Sequence, residues 1–206
     1  MDAFNELLEI SDILYSPQGC PWDNKQNFTS LQSHLIEESH ELVEAVDEDD
    51  DQKIIEELGD LFYILIFYCK VAGREKRFVL EDVLKTVKEK LIRRHPHIFA
   101  DVRVKDAEEV SKNWERIKKE EKNHSERKSV LDGIPKTLSL LMKAQKVVKR
   151  MQRADFPLHL DSQEIGDQFL ALIQKAEAQE IDAEGALRRA LQKRETDFRA
   201  AEKKSS

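Results

Sequence analysis

Cysteine is scarce in this chain. Cys20 and Cys69 are the only two in 206 residues, too few for a disulfide framework, so a reducing compartment, the cytoplasm, is expected. Glycine and proline are scarce too, at six and five, which disfavours a turn-rich β-sandwich and favours helices. The longest apolar run, Leu61 to Cys69, falls well short of the ~20 residues that cross a bilayer. The opening residues show no basic stretch backed by an apolar one, so neither a membrane partner nor a leader is expected. Lys and Arg are not in excess. The net charge is −7, which argues against a broad nucleic-acid surface but leaves room for a small basic pocket.

What the chain has instead is charge and helical periodicity. Charged residues make up 36% and apolar residues 40%, enough for a core with solvated outer faces. Apolar spacing predicts helices over about 2–15, 30–46, 52–72, 80–94 and 106–121, then over 136–153, 161–179 and 183–203. Thr29 or Ser30 is the expected cap of the second helix, and Gly73 the expected end of the third. The third starts charged and becomes apolar nearly all round from Leu61, as suits a bundle centre or a subunit interface. Val83, Leu84, Val87 and Leu91 of the fourth are expected to face inward. Short connections point to an all-α antiparallel helical bundle. The expected organisation is a first domain at 1–124, a Lys- and Glu-rich linker at 125–135, and a second helical segment at 136–206. Glu164-Ile165-Gly166-Asp167-Gln168-Phe169 echoes Glu57-Leu58-Gly59-Asp60-Leu61-Phe62, which suggests a degenerate repeat lacking a counterpart of the acidic second helix.

Carboxylates form the informative constellation. Glu37, Glu38 and Glu41 share one sector of the second helix, and Glu57 and Asp60 are neighbours on the third. A hairpin through the acidic turn Glu48–Asp51 brings the two sets together. Clustered like charges destabilise an empty site, and a hard divalent cation such as Mg²⁺ relieves them through oxygen ligands. Asp60 runs directly into the most apolar helix, so partial burial is expected, and Gly59 is explained by a close helix approach. Lys90, Arg93 and Arg94 have the chemistry to neutralise phosphate oxygens. Trp114 lies on an apolar stripe with Val110 and Ile117, and both it and Trp22 are able to stack on a base.

Gly19-Cys20-Pro21-Trp22-Asp23 with Gln26, Glu37-Glu38-x-x-Glu41, Glu57-x-x-Asp60, Lys90-Leu91-Ile92-Arg93-Arg94-His95-Pro96-His97-Ile98-Phe99 and Asn113-Trp114-Glu115 together resemble the MazG nucleoside triphosphate pyrophosphohydrolases. The resemblance is dense over about residues 1–122 and weaker over 136–203. It implies a helical bundle of the MazG type, a homodimer, and hydrolysis of NTPs and dNTPs to nucleoside monophosphate and pyrophosphate as nucleotide-pool housekeeping. It also implies Mg²⁺, with Mn²⁺ as a substitute, on Glu38, Glu41, Glu57 and Asp60, assisted by Glu37. Lys53, Glu56, Lys90, Arg93, Arg94 and Trp114 would contact the nucleotide. The family's usual Thr-His after Gln26 is replaced by Asn27-Phe28. The second copy keeps Glu164 and Asp167 without an acidic partner helix, and is expected to be inactive.

Two other readings compete. A di-iron bundle finds its ligand spacing in Glu37-x-x-His40 and Glu121-x-x-His124, but leaves Glu57 and Asp60 without a role. A non-catalytic nucleotide-binding or interaction protein would use the same pocket without turnover.

Overall fold

A computed structural model describes residues 2–121 and 128–205. It is all-α, with no strand among the described residues. The helices are α1 (Asp2–Leu14), α2 (Leu31–Glu48), α3 (Asp51–Arg74), α4 (Leu80–Arg94), α5 (Pro96–Phe99), α6 (Ala107–Glu120), α7 (Leu140–Gln152), α8 (Ile165–Ala178) and α9 (Ala183–Ser205), with a 3₁₀ turn at Asp23–Lys25. Among the described residues, no helix is long and apolar enough to cross a membrane. The chain forms two compact units, Met1–Ile117 and Lys118–Ser206. The expected boundary at 124, the linker's first residues and His124 of the di-iron reading lie outside the described residues.

In the first unit, α2 and α3 form the principal antiparallel pair, and no other pair of helices packs as extensively. Their core is Leu31, Phe67 and Val71, each almost fully buried, with Tyr15, Phe28, Tyr63 and Tyr68 packed around it. The hairpin between them is short because two aspartates fit its demands. Asp49 takes the left-handed conformation (φ 57°) at the end of α2, and Asp50 caps α3 by accepting from the amides of Gln52 (3.1 Å) and Lys53 (3.3 Å).

Entry into α2 is arranged differently from expectation. Ser30 occupies the cap position without a side-chain cap bond. Asn27 Oδ1 instead accepts from the amides of Thr29 (2.9 Å) and Ser30 (3.0 Å). Phe28 packs against Tyr68 and Phe78 and lies under the Arg77 guanidinium, 4.1 Å from the ring centroid. The Asn27-Phe28 departure thus serves helix entry and packing.

Two further expectations are corrected. Gly73 lies inside α3, and the reversal falls to Lys76 (φ 54°), whose amide bonds to the Gly73 carbonyl. The apolar stripe of α4 faces out: Val83, Leu84, Val87 and Leu91 are all exposed, and α4 has no buried residue. A stripe that awaits a partner has the same sequence period as one facing a core.

In the second unit, α7 packs on α8, with Val148 and Ile173 buried. Ser139 caps α7 through the Met142 amide (3.2 Å). The helix expected over 136–153 is thus present at Leu140–Gln152, beside the echo, and it carries no carboxylate.

Candidate metal and nucleotide site

Glu38 and Glu41 stand one turn apart on α2, and Glu57 lies on α3 just past the hairpin. The α2–α3 packing brings one carboxylate oxygen from each to within 4.8 Å of the others, the single such trio of potential ligands among the described residues. Glu38 and Glu57 are half-buried and Glu41 is exposed. Burial foremost, then the charges of Asp60, Glu41, Glu57 and Glu37, raises the Glu38 pKa above its ordinary 4.5. Glu57 is raised likewise by desolvation, then by Glu41, Glu56 and Asp60, with Lys53 acting in the opposite sense. These are hard oxygen donors held together against their own repulsion, a donor set that fits Mg²⁺ or Mn²⁺.

The remaining expected residues take varied places. Asp60 acts electrostatically on Glu38 and Glu57 but is exposed rather than partly buried, in keeping with the cost of burying a charge. Glu37 is exposed and reaches back toward His34 (3.8 Å). Glu56 is exposed, and Lys53 is held by Glu48 at 2.6 Å. Lys90 is half-buried and Arg93 exposed at the end of α4, whereas Arg94 stacks over Trp114 of α6, 4.9 Å from the ring centroid. His40 of the di-iron reading is exposed. Among the described residues, Gly59 has no atom within 4 Å of where a Cβ would stand, so the expected close approach is not made there. Sequence reasoning left one neighbour of this face without a specific place: Trp22 packs edge-on against His34 (5.5 Å).

The echo in the second unit has become structural. Glu164 is the residue before α8, and Asp167 Oδ2 accepts from the Asp161 amide at 2.7 Å, closing the helix entry. On the facing helix, Lys149 pairs with Glu177, and Gln145 donates to Glu177 (3.3 Å) and to the Ile181 carbonyl (2.9 Å).

The acidic trio dictates a pH response. A carboxylate whose folded pKa is raised binds its proton more tightly in the folded state, so its contribution favours folding below 4.5 and is lost as pH rises through the raised value. Mg²⁺ should therefore raise the melting temperature at neutral pH, and the increment should shrink as the pH falls through the raised values of Glu38 and Glu57 toward 4.5, where protons displace the cation. Thermal scans with Mg²⁺ and with chelator across that range check this. An increment independent of pH would place the cation elsewhere.

Comparison with known proteins follows the same residues. The sequence model of the MazG nucleotide pyrophosphohydrolase domain matches residues 26–99. The uncharacterised protein YabN of Bacillus subtilis is 48% identical over 146 residues, 71% of this chain and 30% of its own length. The nucleoside triphosphate pyrophosphohydrolase of Escherichia coli K12 is 40% identical over 157 residues, 76% of this chain and 60% of its own. A Thermotoga maritima protein, nucleoside triphosphate pyrophosphohydrolase/pyrophosphatase MazG, is 35% identical over 213 residues, 92% of this chain and 82% of its own. This chain thus spans less than two thirds of the B. subtilis and E. coli relatives.

Proposed function

The chain belongs to the MazG family, and on that premise we propose that it hydrolyses nucleoside triphosphates to monophosphate and pyrophosphate with a divalent cation held by Glu38, Glu41 and Glu57. The convergence of those three carboxylates is the observation that carries the reading. Asp60, close enough to raise Glu38, is the fourth candidate ligand. When bound, Mg²⁺ supplies Lewis acidity toward the phosphate oxygens.

The chain's own residues do the rest. A carboxylate outside the coordination set, with Glu37 the nearest by sequence, orients a water and takes its proton as the water oxygen bonds to the α-phosphorus. The bond from the α-phosphorus to the bridging oxygen breaks, and pyrophosphate leaves with that oxygen. Lys90, Arg93 and Arg94 offset its charge, and Trp114 lines the nucleotide side. Discarding unwanted triphosphates from a nucleotide pool is the matching role.

A homodimer completes the proposal. Ile55, Leu58, Phe62 and Leu65 form an exposed stripe on α3, and α4 exposes another. Gly59 stands beside the α3 stripe with open space over it. A second copy burying these faces accounts for apolar exposure that a monomer would not carry.

Incubation with NTPs, dNTPs and Mg²⁺, with the products resolved chromatographically, tests the activity. Monophosphate and pyrophosphate in equal amounts are expected. Orthophosphate alone, or nucleotide binding without turnover, contradicts the proposal.

A further inference from the structure

Trp22 is half exposed, 52%, yet it sits on a loop tied by several side-chain hydrogen bonds. Asn24 Nδ2 donates to the carbonyls of Ser16 (2.8 Å) and Cys20 (3.2 Å). Arg74, reaching from α3, donates to the carbonyls of Asn24 (2.8 Å) and Gln26 (2.6 Å), and Gln26 Nε2 donates to the Trp22 carbonyl itself (3.2 Å). Asp23, which opens the short turn, and Gln26, which follows it, are buried. Gly19 is packed so closely that a Cβ there would stand 2.2 Å from the Leu14 carbonyl oxygen. The ring is thus carried on a backbone fixed at several points.

Its direction is set by the edge contact with His34, ring centroids 5.5 Å apart. His34, Glu38 and Glu41 are spaced i, i+4 and i+7 on α2, so they share one face. Along the helix axis, Glu38 lies about 6 Å and Glu41 about 10 Å beyond His34. A large π-surface therefore stands at one end of a stripe whose other end is the carboxylate trio. A ribose with its α-phosphate bridges a separation of that order.

Building on the triphosphate reading, we infer that Trp22, braced by His34, is the stacking platform for the nucleobase, so that base and metal-bound phosphates occupy two ends of the same α2 face. Stacking of this kind is tolerant of base identity, because every base presents a π-face. The site would then accept a range of bases, with discrimination left to groups that reach a base edge.

Calorimetric binding and steady-state kinetics of Trp22→Ala, Trp22→Phe and wild type, on a nucleoside triphosphate and on inorganic tripolyphosphate, test the inference. For Trp22→Ala, nucleotide affinity should fall and KM rise by roughly tenfold, with kcat within about twofold and tripolyphosphate affinity unchanged. Trp22→Phe should recover most of the loss. Equal weakening toward tripolyphosphate, unchanged nucleotide affinity, or a change of oligomeric state on sedimentation would overturn the assignment. Binding is read without turnover, so a wild type that binds nucleotide but releases no pyrophosphate would sink the proposed activity while leaving the platform to be judged on affinity alone.

Discussion

Glu38→Gln should lower pyrophosphate release by on the order of a hundredfold or more, since a ligated cation contributes several kcal/mol of charge stabilisation to the transition state. The substitution keeps size and hydrogen-bonding capacity and removes one charge. Glu38 is the residue on which the others bear: Asp60, Glu41, Glu57 and Glu37 all raise its pKa, after burial. Loss of that charge weakens cation binding and relieves repulsion in the cation-free protein at the same time. The melting temperature should therefore rise in chelator and fail to respond to Mg²⁺, opposite signs from one substitution. A variant that merely damaged the fold would melt lower in both conditions. Product assays paired with thermal scans in chelator and in Mg²⁺ separate the cases, and full turnover by Glu38→Gln would remove Glu38 from the site.

Phe67→Ala should destabilise the first unit by about 3–5 kcal/mol, a large share of the 5–15 kcal/mol that typically holds a domain together. Phe67 is 3% exposed and lies edge-on to Tyr15, ring centroids 5.4 Å apart, and against Tyr63 at 5.9 Å. Leu31, its buried neighbour, is the first residue of α2, and Val71 lies one turn farther along α3. This cluster clamps the start of α2 to the far end of α3, and the acidic hairpin joins their other ends. The carboxylates lie between the two attachments. Removing the ring leaves a cavity at one of them, so cation affinity should weaken along with stability. Both tryptophans, Trp22 and Trp114, belong to the first unit, which makes their fluorescence in urea the appropriate probe. Leu140→Ala, at a residue 84% exposed in the second unit, is the control and should leave the transition in place. A shift of Phe67→Ala below 1 kcal/mol would mean that the clamp is not where α2 and α3 are held.

Much of this was legible in the residues because period and spacing are local. Helix positions followed from apolar recurrence, and the pairing of Glu38 and Glu41 with Glu57 followed from i, i+3 spacing plus a hairpin too short to separate two helices. What escaped depended on who faces whom. The α4 stripe has a core-like pattern but is exposed, since periodicity marks an apolar face without saying what covers it. Asp60 immediately precedes the apolar stretch of α3 yet is exposed, because apolar flanks along the chain are not neighbours across a helix. Gly59 suggested a close approach that is not made among the described residues. The acidic echo at Glu164 and Asp167 does not say what its acids do without an acidic partner helix; Asp167 binds a backbone amide at a helix entry, a use compatible with an acid near an N-terminus. The Trp22–His34 contact joins a loop to a helix, and no pattern within either segment encodes it.

The proposed reaction depends on carboxylates from α2 and α3 jointly holding one cation. Titration of Mn²⁺ into the protein without nucleotide, followed by electron paramagnetic resonance, addresses it most directly. Wild type should take up the ion, while Glu41→Gln and Glu57→Gln, one on each helix, should each weaken uptake by roughly ten- to a hundredfold. Uptake undiminished in both variants would mean that Glu41 and Glu57 do not hold the cation together.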